Sequence, residues 1–210
     1  MMKLVSFGLI AVLLVLAACG SQNSSYDGEG RVVFAMKDAA TNMESVTSVE
    51  VTVDKVEAHS QEEGWVTVSS EQRTYDLLEL KQEGSTVVLA DSTLDGGAYN
   101  QVRLEISKVV VTDAEGEHEA KLPSSELKIN GDFNVKENST SSVTFDFIAD
   151  ESLHVTGNGE YIMAPVVELE TRDNVEVEVK SDNRVEINNG NMKTKVKVGM
   201  DIDGKVDTNI

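Results

Sequence analysis

Cys19 is the only cysteine in the chain, and it closes the sequence Leu16-Ala17-Ala18-Cys19 at the end of a short apolar leader. A lone thiol cannot form an internal disulfide, but its thiolate is a strong nucleophile. Two small residues just before it let a peptidase reach the backbone. Those features are what diacylglyceryl transfer to sulfur and removal of a leader require, so the pattern predicts lipidation at Cys19. Met1 to Lys3 supply a short positive segment, and Leu4 to Leu16 an apolar run of about 13 residues, the length of a signal core. A membrane-spanning helix needs about 20 apolar residues, so this run is too short to stay as a span. The competing reading is an ordinary cleaved signal with Cys19 near the cut. Residue 20 is glycine, not the aspartate that marks inner-membrane retention in some bacteria with two membranes.

Other chemistry is sparse. His59, His118 and His154 are far apart and fit no HExxH or HxH spacing. With one cysteine, thiolate metal sites are excluded. No GxSxG elbow, phosphate loop or GxGxxG turn occurs, so no cofactor is expected. Two acidic runs place carboxylates at alternate positions around a glycine, as oxygen-rich calcium loops do: Asp113, Glu115 and Glu117, and Asp201, Asp203 and Asp207. Neither has EF-hand spacing, and hairpin turns account for both. Glu62 and Glu63 stand close to Trp65, a combination that a glycan site could use, although a core position for Trp65 is the simpler reading. Arg103 lies between Val102 and Leu104 on an expected strand, so it faces away from them, toward an acidic partner such as Asp76 or Asp146.

The 37 acidic residues against 18 basic ones give a formal charge of −19, and loss of Lys3 with the leader would make it one unit more negative. Such a surface repels nucleic-acid phosphates and anionic lipid heads, which excludes nucleic acid as a partner. Aromatic residues make up only 5% and valine is abundant, as expected of a β interior stabilised by burial alone.

The elements that must position these residues read as strands almost throughout. Residues 19–30 are polar and rich in Gly, Ser and Asn, the composition of a flexible tether reaching about 35–40 Å. Arg31 to Lys37 predicts the first strand. Val49, Val51 and Val53 alternate, and the phase shifts at Lys55-Val56, which predicts a bulge in a long strand ending near His59. Gly64 opens a strand through Val68, and Thr74 to Leu80 fits either a strand or one helical turn. Asp95-Gly96-Gly97 turns into the longest strand, Tyr99 to Thr112, and a hairpin at Asp113 to Glu117 returns through Leu122. Leu127–Ile129, Phe133–Val135, Val143–Ile148 and Tyr161–Thr171 complete a domain spanning 31–172. Pro165 favours an edge or bulge position. The pattern predicts an all-β fold, an antiparallel β-sandwich with Greek-key, Ig-like or transthyretin-like connections. Residues 173–210 read as a C-terminal β meander of charged, two-faced strands.

Several segments recur in order: Trp65 after an acidic turn, Tyr75-Asp76-Leu77-Leu78, Gly97-Ala98-Tyr99 with Val102-Arg103-Leu104, Leu122-Pro123-Ser124-Ser125, Phe145-Asp146-Phe147, and Gly157 to Ile162 with Pro165. Over about residues 30–172 the chain resembles an uncharacterised prokaryotic lipoprotein family, domain of unknown function 4382. The resemblance implies an exported, usually lipidated β domain and carries over no catalytic residues.

The expectation is therefore a non-enzymatic binding or structural module. Acylated Cys19 would hold it at the cell membrane or outer membrane, facing periplasm or exterior, with an envelope protein or glycan as partner. Two other classes remain open at this point: a hydrolase whose site is assembled from dispersed acidic and histidine side chains, and a calcium-dependent adhesion or assembly unit.

Overall fold

In the computed structural model, which describes residues 28–40, 43 and 45–208, the alternating segments form two sheets packed face to face. The leader 1–18, Cys19 and the tether up to residue 27 lie outside the described residues. One sheet contains β1 (Glu29–Asp38), β5 (Val87–Asp95), β9 (Thr140–Phe147), β12 (Val166–Val179), β13 (Val185–Met200) and β14 (Val206–Asp207), in the order β14-β13-β12-β9-β1-β5. The other is built on two long strands, β2 (Val46–Ser60) and β6 (Gly97–Asp113). Each is flanked by two shorter ones: β3 (Gly64–Ser69) and β4 (Arg73–Asp76) on β2, and β7 (Gly116–Glu119) and β8 (Glu126–Val135) on β6. β10 (Leu153–Val155) and β11 (Tyr161–Met163) make a separate ribbon. The helices are short, α1 (Leu77–Glu83) and α2 (Ala149–Ser152).

The fold is all-β and sandwich-like, with antiparallel pairing except between β1 and β9, which run parallel in register from Arg31–Thr140 to Asp38–Phe147. The expected bulge is present. The register of β2 against β6 slips on both sides of Val53, so apolar residues return to the inner face as Val56 and Ala58 after Val49, Val51 and Val53. β6 slips at the same level, placing Val109 and Val111 inward after Val102, Leu104 and Ile106. Opposite them lie Phe34, Met36, Phe145, Phe147 and Leu169, all fully buried.

Residues 74–80 resolve the strand-or-helix alternative as both. Asp76 ends β4 and caps α1, its Oδ1 accepting the N–H groups of Leu78 (2.9 Å) and Glu79 (3.4 Å). Residues 127–129 and 133–135, read separately in the sequence, are one strand with a register slip.

The C-terminal meander, β12-β13-β14, is continuous with the first sheet. The boundary expected at residue 172 falls inside β12, which pairs with β9 up to Asp173 and continues to Val179. β13, read as separate runs, is one strand paired with β12 along its length. The hairpin bends at Asn174, Asn189 and Gly190, all at positive φ. Beyond the bend it folds over the outer face of the first sheet, where Val177, Val185 and Ile187 pack against Val33, Ala35 and Val88. Its tip is tied to β5 by Val88 N–H to Asn183 O (3.0 Å) and Val185 N–H to Thr86 O (2.8 Å).

Candidate functional site

Three groups of polar side chains were candidates for chemistry, and the fold places each differently. The first lies on the outer face of the β2–β6 sheet. Cross-strand pairing sets Arg103 directly opposite Glu57, and its Nε donates to Glu57 Oε2 at 2.6 Å. Nη1 reaches Glu126 at 3.3 Å. The expected partners Asp76 and Asp146 are elsewhere: Asp76 caps α1, and Asp146 lies on the opposite sheet, paired with Lys37 at 2.8 Å.

Trp65 is not a core residue. It is half-buried on the same outer face, with the Arg103 guanidinium 4.4 Å from its ring centroid and the His59 ring edge-on at 5.1 Å. Pairing of β3 with β2 sets Trp65 opposite His59. His59 Nδ1 is in turn hydrogen-bonded to Asn100 Oδ1 at 3.0 Å. Glu62 and Glu63 are exposed in the turn, their backbone N–H groups donated to Ser60 Oγ. The cluster ties β3, β2, β6 and β8 together through cation–π and charge-assisted contacts.

The second group centres on Asp113 at the end of β6. Tyr161 Oη donates to Asp113 Oδ2 at 2.7 Å, and His118 Nε2 lies 3.1 Å from Oδ1, which also accepts the N–H groups of Glu115 and Gly116. The Tyr161 hydroxyl foremost, then the turn amide and His118, hold the Asp113 carboxyl down at about 2. The same hydrogen bond pushes Tyr161 up. This carboxylate accepts on both oxygens and latches the β10–β11 ribbon to the β6–β7 turn.

The third is a pair of buried carboxylates, of which the sequence named only Asp146, as a partner for Arg103. Asp38 and Asp146 are each more than nine-tenths buried, and one oxygen of each has no hydrogen-bond partner. Asp38 Oδ1 accepts the Ala149 N–H at 3.1 Å. Burial, with a further push from Asp146, raises the Asp38 carboxyl to about 6.

The histidines do not converge: His59 and His118 sit in the two clusters above, and His154 borders a groove beside Met200. Among the described residues no group of three or more His, Cys, Asp or Glu side chains is arranged to hold a metal ion. Of the calcium candidates, Asp201 and Asp113 cap their own turns. Asp201 Oδ1 accepts the N–H groups of Asp203 (3.0 Å) and Lys205 (2.8 Å), and Asp113 does the same in its own turn. No helix among the described residues is long and apolar enough to cross a membrane.

The fold and these clusters define an all-β sandwich domain with ion-paired outer faces. The chain belongs to the family described as domain of unknown function 4382, whose profile matches residues 29–165. The match covers β1 to β11 and stops just before β12, so the strands that extend and cover the first sheet lie outside it. No curated protein and no solved structure matches the chain. Residues in the recurring segments mostly serve the fold: Tyr75 Oη donates to Val88 O, Tyr99 stacks on Phe133 at 4.9 Å, and Phe145 and Phe147 fill the core.

Proposed function

We propose that this chain is a lipid-anchored cell-envelope protein whose β-sandwich serves as a non-enzymatic binding or structural module facing periplasm or exterior. The observation that carries the reading is Leu16-Ala17-Ala18-Cys19 at the end of a leader too short to span a bilayer. The two acyl chains of a diacylglyceryl group on that sulfur would hold the domain stably, since each buried CH₂ contributes roughly 0.8 kcal/mol.

The direction of β1 supports this arrangement. β1 begins at Glu29, soon after Cys19, beside the Asp95-Gly96 turn, and ends at Asp38 level with Phe147. An anchor before β1 joins the domain at its Glu29 end, and Asp38 lies about 30 Å away along the ten-residue strand. The contacts of Asp113 with Tyr161 and His118, and of Arg103 with Glu57 and Glu126, join strands and turns, which suits a structural module.

The test is metabolic labelling with an alkyne fatty acid in cells expressing the full chain. The expected result is label on the wild type, none on Cys19→Ala, and release of that variant from the membrane fraction. Label on the variant, or wild type recovered from cytosol with Met1 still attached, overturns the proposal.

A further inference from the structure

We propose that the groove at the far end of the sandwich from the start of β1 docks a basic peptide segment of a partner protein, one apolar side chain entering the groove. The inference rests on the anchored-module reading for its orientation. The groove encloses about 500 Å³, with Val166, Met200 and Ile202 as apolar walls and the carboxylates of Glu151, Asp201 and Asp207 among them. That volume suits a peptide side chain with its flanking backbone.

Its place in the fold follows from register. Asp38, where β1 ends, is level with Phe147, Phe147 with Val167, and Val166 with Gly199. Ile202 is 68% exposed, more than any other large apolar side chain among the described residues. It is held out by a formed turn: Asp201 N–H donates to Lys205 O at 2.9 Å, while Asp201 Oδ1 fixes the amides of Asp203 and Lys205. An apolar side chain presented on a fixed turn is ready for contact without an ordering penalty.

Charge selects the occupant. Glu151 is bridged to Lys197 at 2.6 Å, yet the groove still carries acidic excess on a chain of net charge −19. Anionic lipid is repelled by the same carboxylates. A second copy would bring the same carboxylates face to face. A segment with lysine or arginine flanking an apolar residue satisfies both the walls and the acidic residues.

The experiment uses the full lipidated chain on phosphatidylcholine vesicles and a fluorescent peptide of alternating lysine and leucine. Lysine–serine and glutamate–leucine peptides of the same length are the comparators. The lysine–leucine peptide is expected to bind about tenfold or more tightly than either. Ile202→Gln and Glu151→Lys should each weaken it about tenfold. Met192→Gln, at an exposed apolar residue far along β13, should leave binding unchanged.

Equal binding of the lysine–serine peptide, no binding of any peptide, or an Ile202→Gln variant that binds like wild type overturns the inference. So does a dimer that Ile202→Gln dissolves, which would make a second copy the occupant. Flotation separates the two readings: protein that floats with vesicles but captures no peptide retains the anchor and loses the groove, whereas unlipidated protein that captures peptide does the reverse.

Discussion

Asp38 and Asp113 are carboxylates at strand ends, and their surroundings push them in opposite directions. Asp38 is buried beside Asp146 and titrates near 6, above its ordinary 3.8, so the folded state holds its proton more tightly than the unfolded chain. The stability from that proton is fully present below about pH 4 and is lost as pH rises through 6. Asp113, held near 2 by Tyr161, works the other way: its contribution is present above about pH 4 and lost as pH falls through 2. Asp38→Asn keeps the acceptor for Ala149 N–H and removes the charge. Urea denaturation should find it more stable than wild type above pH 6 by roughly 1–2 kcal/mol, with the difference vanishing near pH 4. An Asn variant equal to wild type at both pH values would show that this carboxyl is well hydrated. Arg103 is a different case, because Glu57 is 8% exposed and depends on it. Arg103→Ala should cost about 2 kcal/mol by leaving that carboxylate unpaired. Adding Glu57→Gln should recover part of the loss in a double-mutant cycle. Strict additivity would mean that the two side chains do not interact.

At the level of elements, the β12–β13 hairpin depends on its bend. Gly190 has φ +82°, and a Cβ there would lie 2.5 Å from Val175 Cγ1 and 2.9 Å from Asp173 O. Gly190→Ala is therefore expected to destabilise by about 2 kcal/mol. The effect should be local: amide exchange should quicken at Val88 and Val185, where the tip is tied to β5, more than at Val51 or Leu104 in the core. Uniform acceleration across all four would contradict that picture. The strands were legible because a half-buried sheet imposes period two on its sequence, and the β2 bulge was legible because it breaks that period at Lys55-Val56. The bend was not. It joins two stretches that both alternate, and only the packing of Val177, Val185 and Ile187 on Val33 and Ala35 shows that the hairpin doubles back. Partner choice was hidden for a similar reason. Arg103 was correctly placed facing away from Val102 and Leu104, but which acid lies opposite depends on long-range register, and that gave Glu57 rather than Asp76 or Asp146.

For the molecule as a whole, the net charge of −19 opposes compaction, and the many surface ion pairs offset little of it. A pair such as Arg31–Asp91 is exposed on both sides and contributes about 0–1 kcal/mol. Salt weakens these attractions and the general repulsion together. With acidic residues outnumbering basic ones about two to one, the repulsion is the larger quantity. The melting temperature is therefore expected to rise by a few degrees between about 20 mM and about 0.5 M sodium chloride, as the screening length falls from roughly 20 Å to roughly 4 Å. A melting temperature that falls over that range would mean that the ion pairs, Arg103–Glu57 foremost, contribute more than surface pairs ordinarily do. Calcium chloride at matched ionic strength discriminates further. Screening predicts nearly the same rise as sodium, because Asp113 and Asp201 already spend an oxygen on their own turns. A saturable extra stabilisation at low millimolar calcium, lost in Asp201→Asn, would mean that the second turn opens to take a cation.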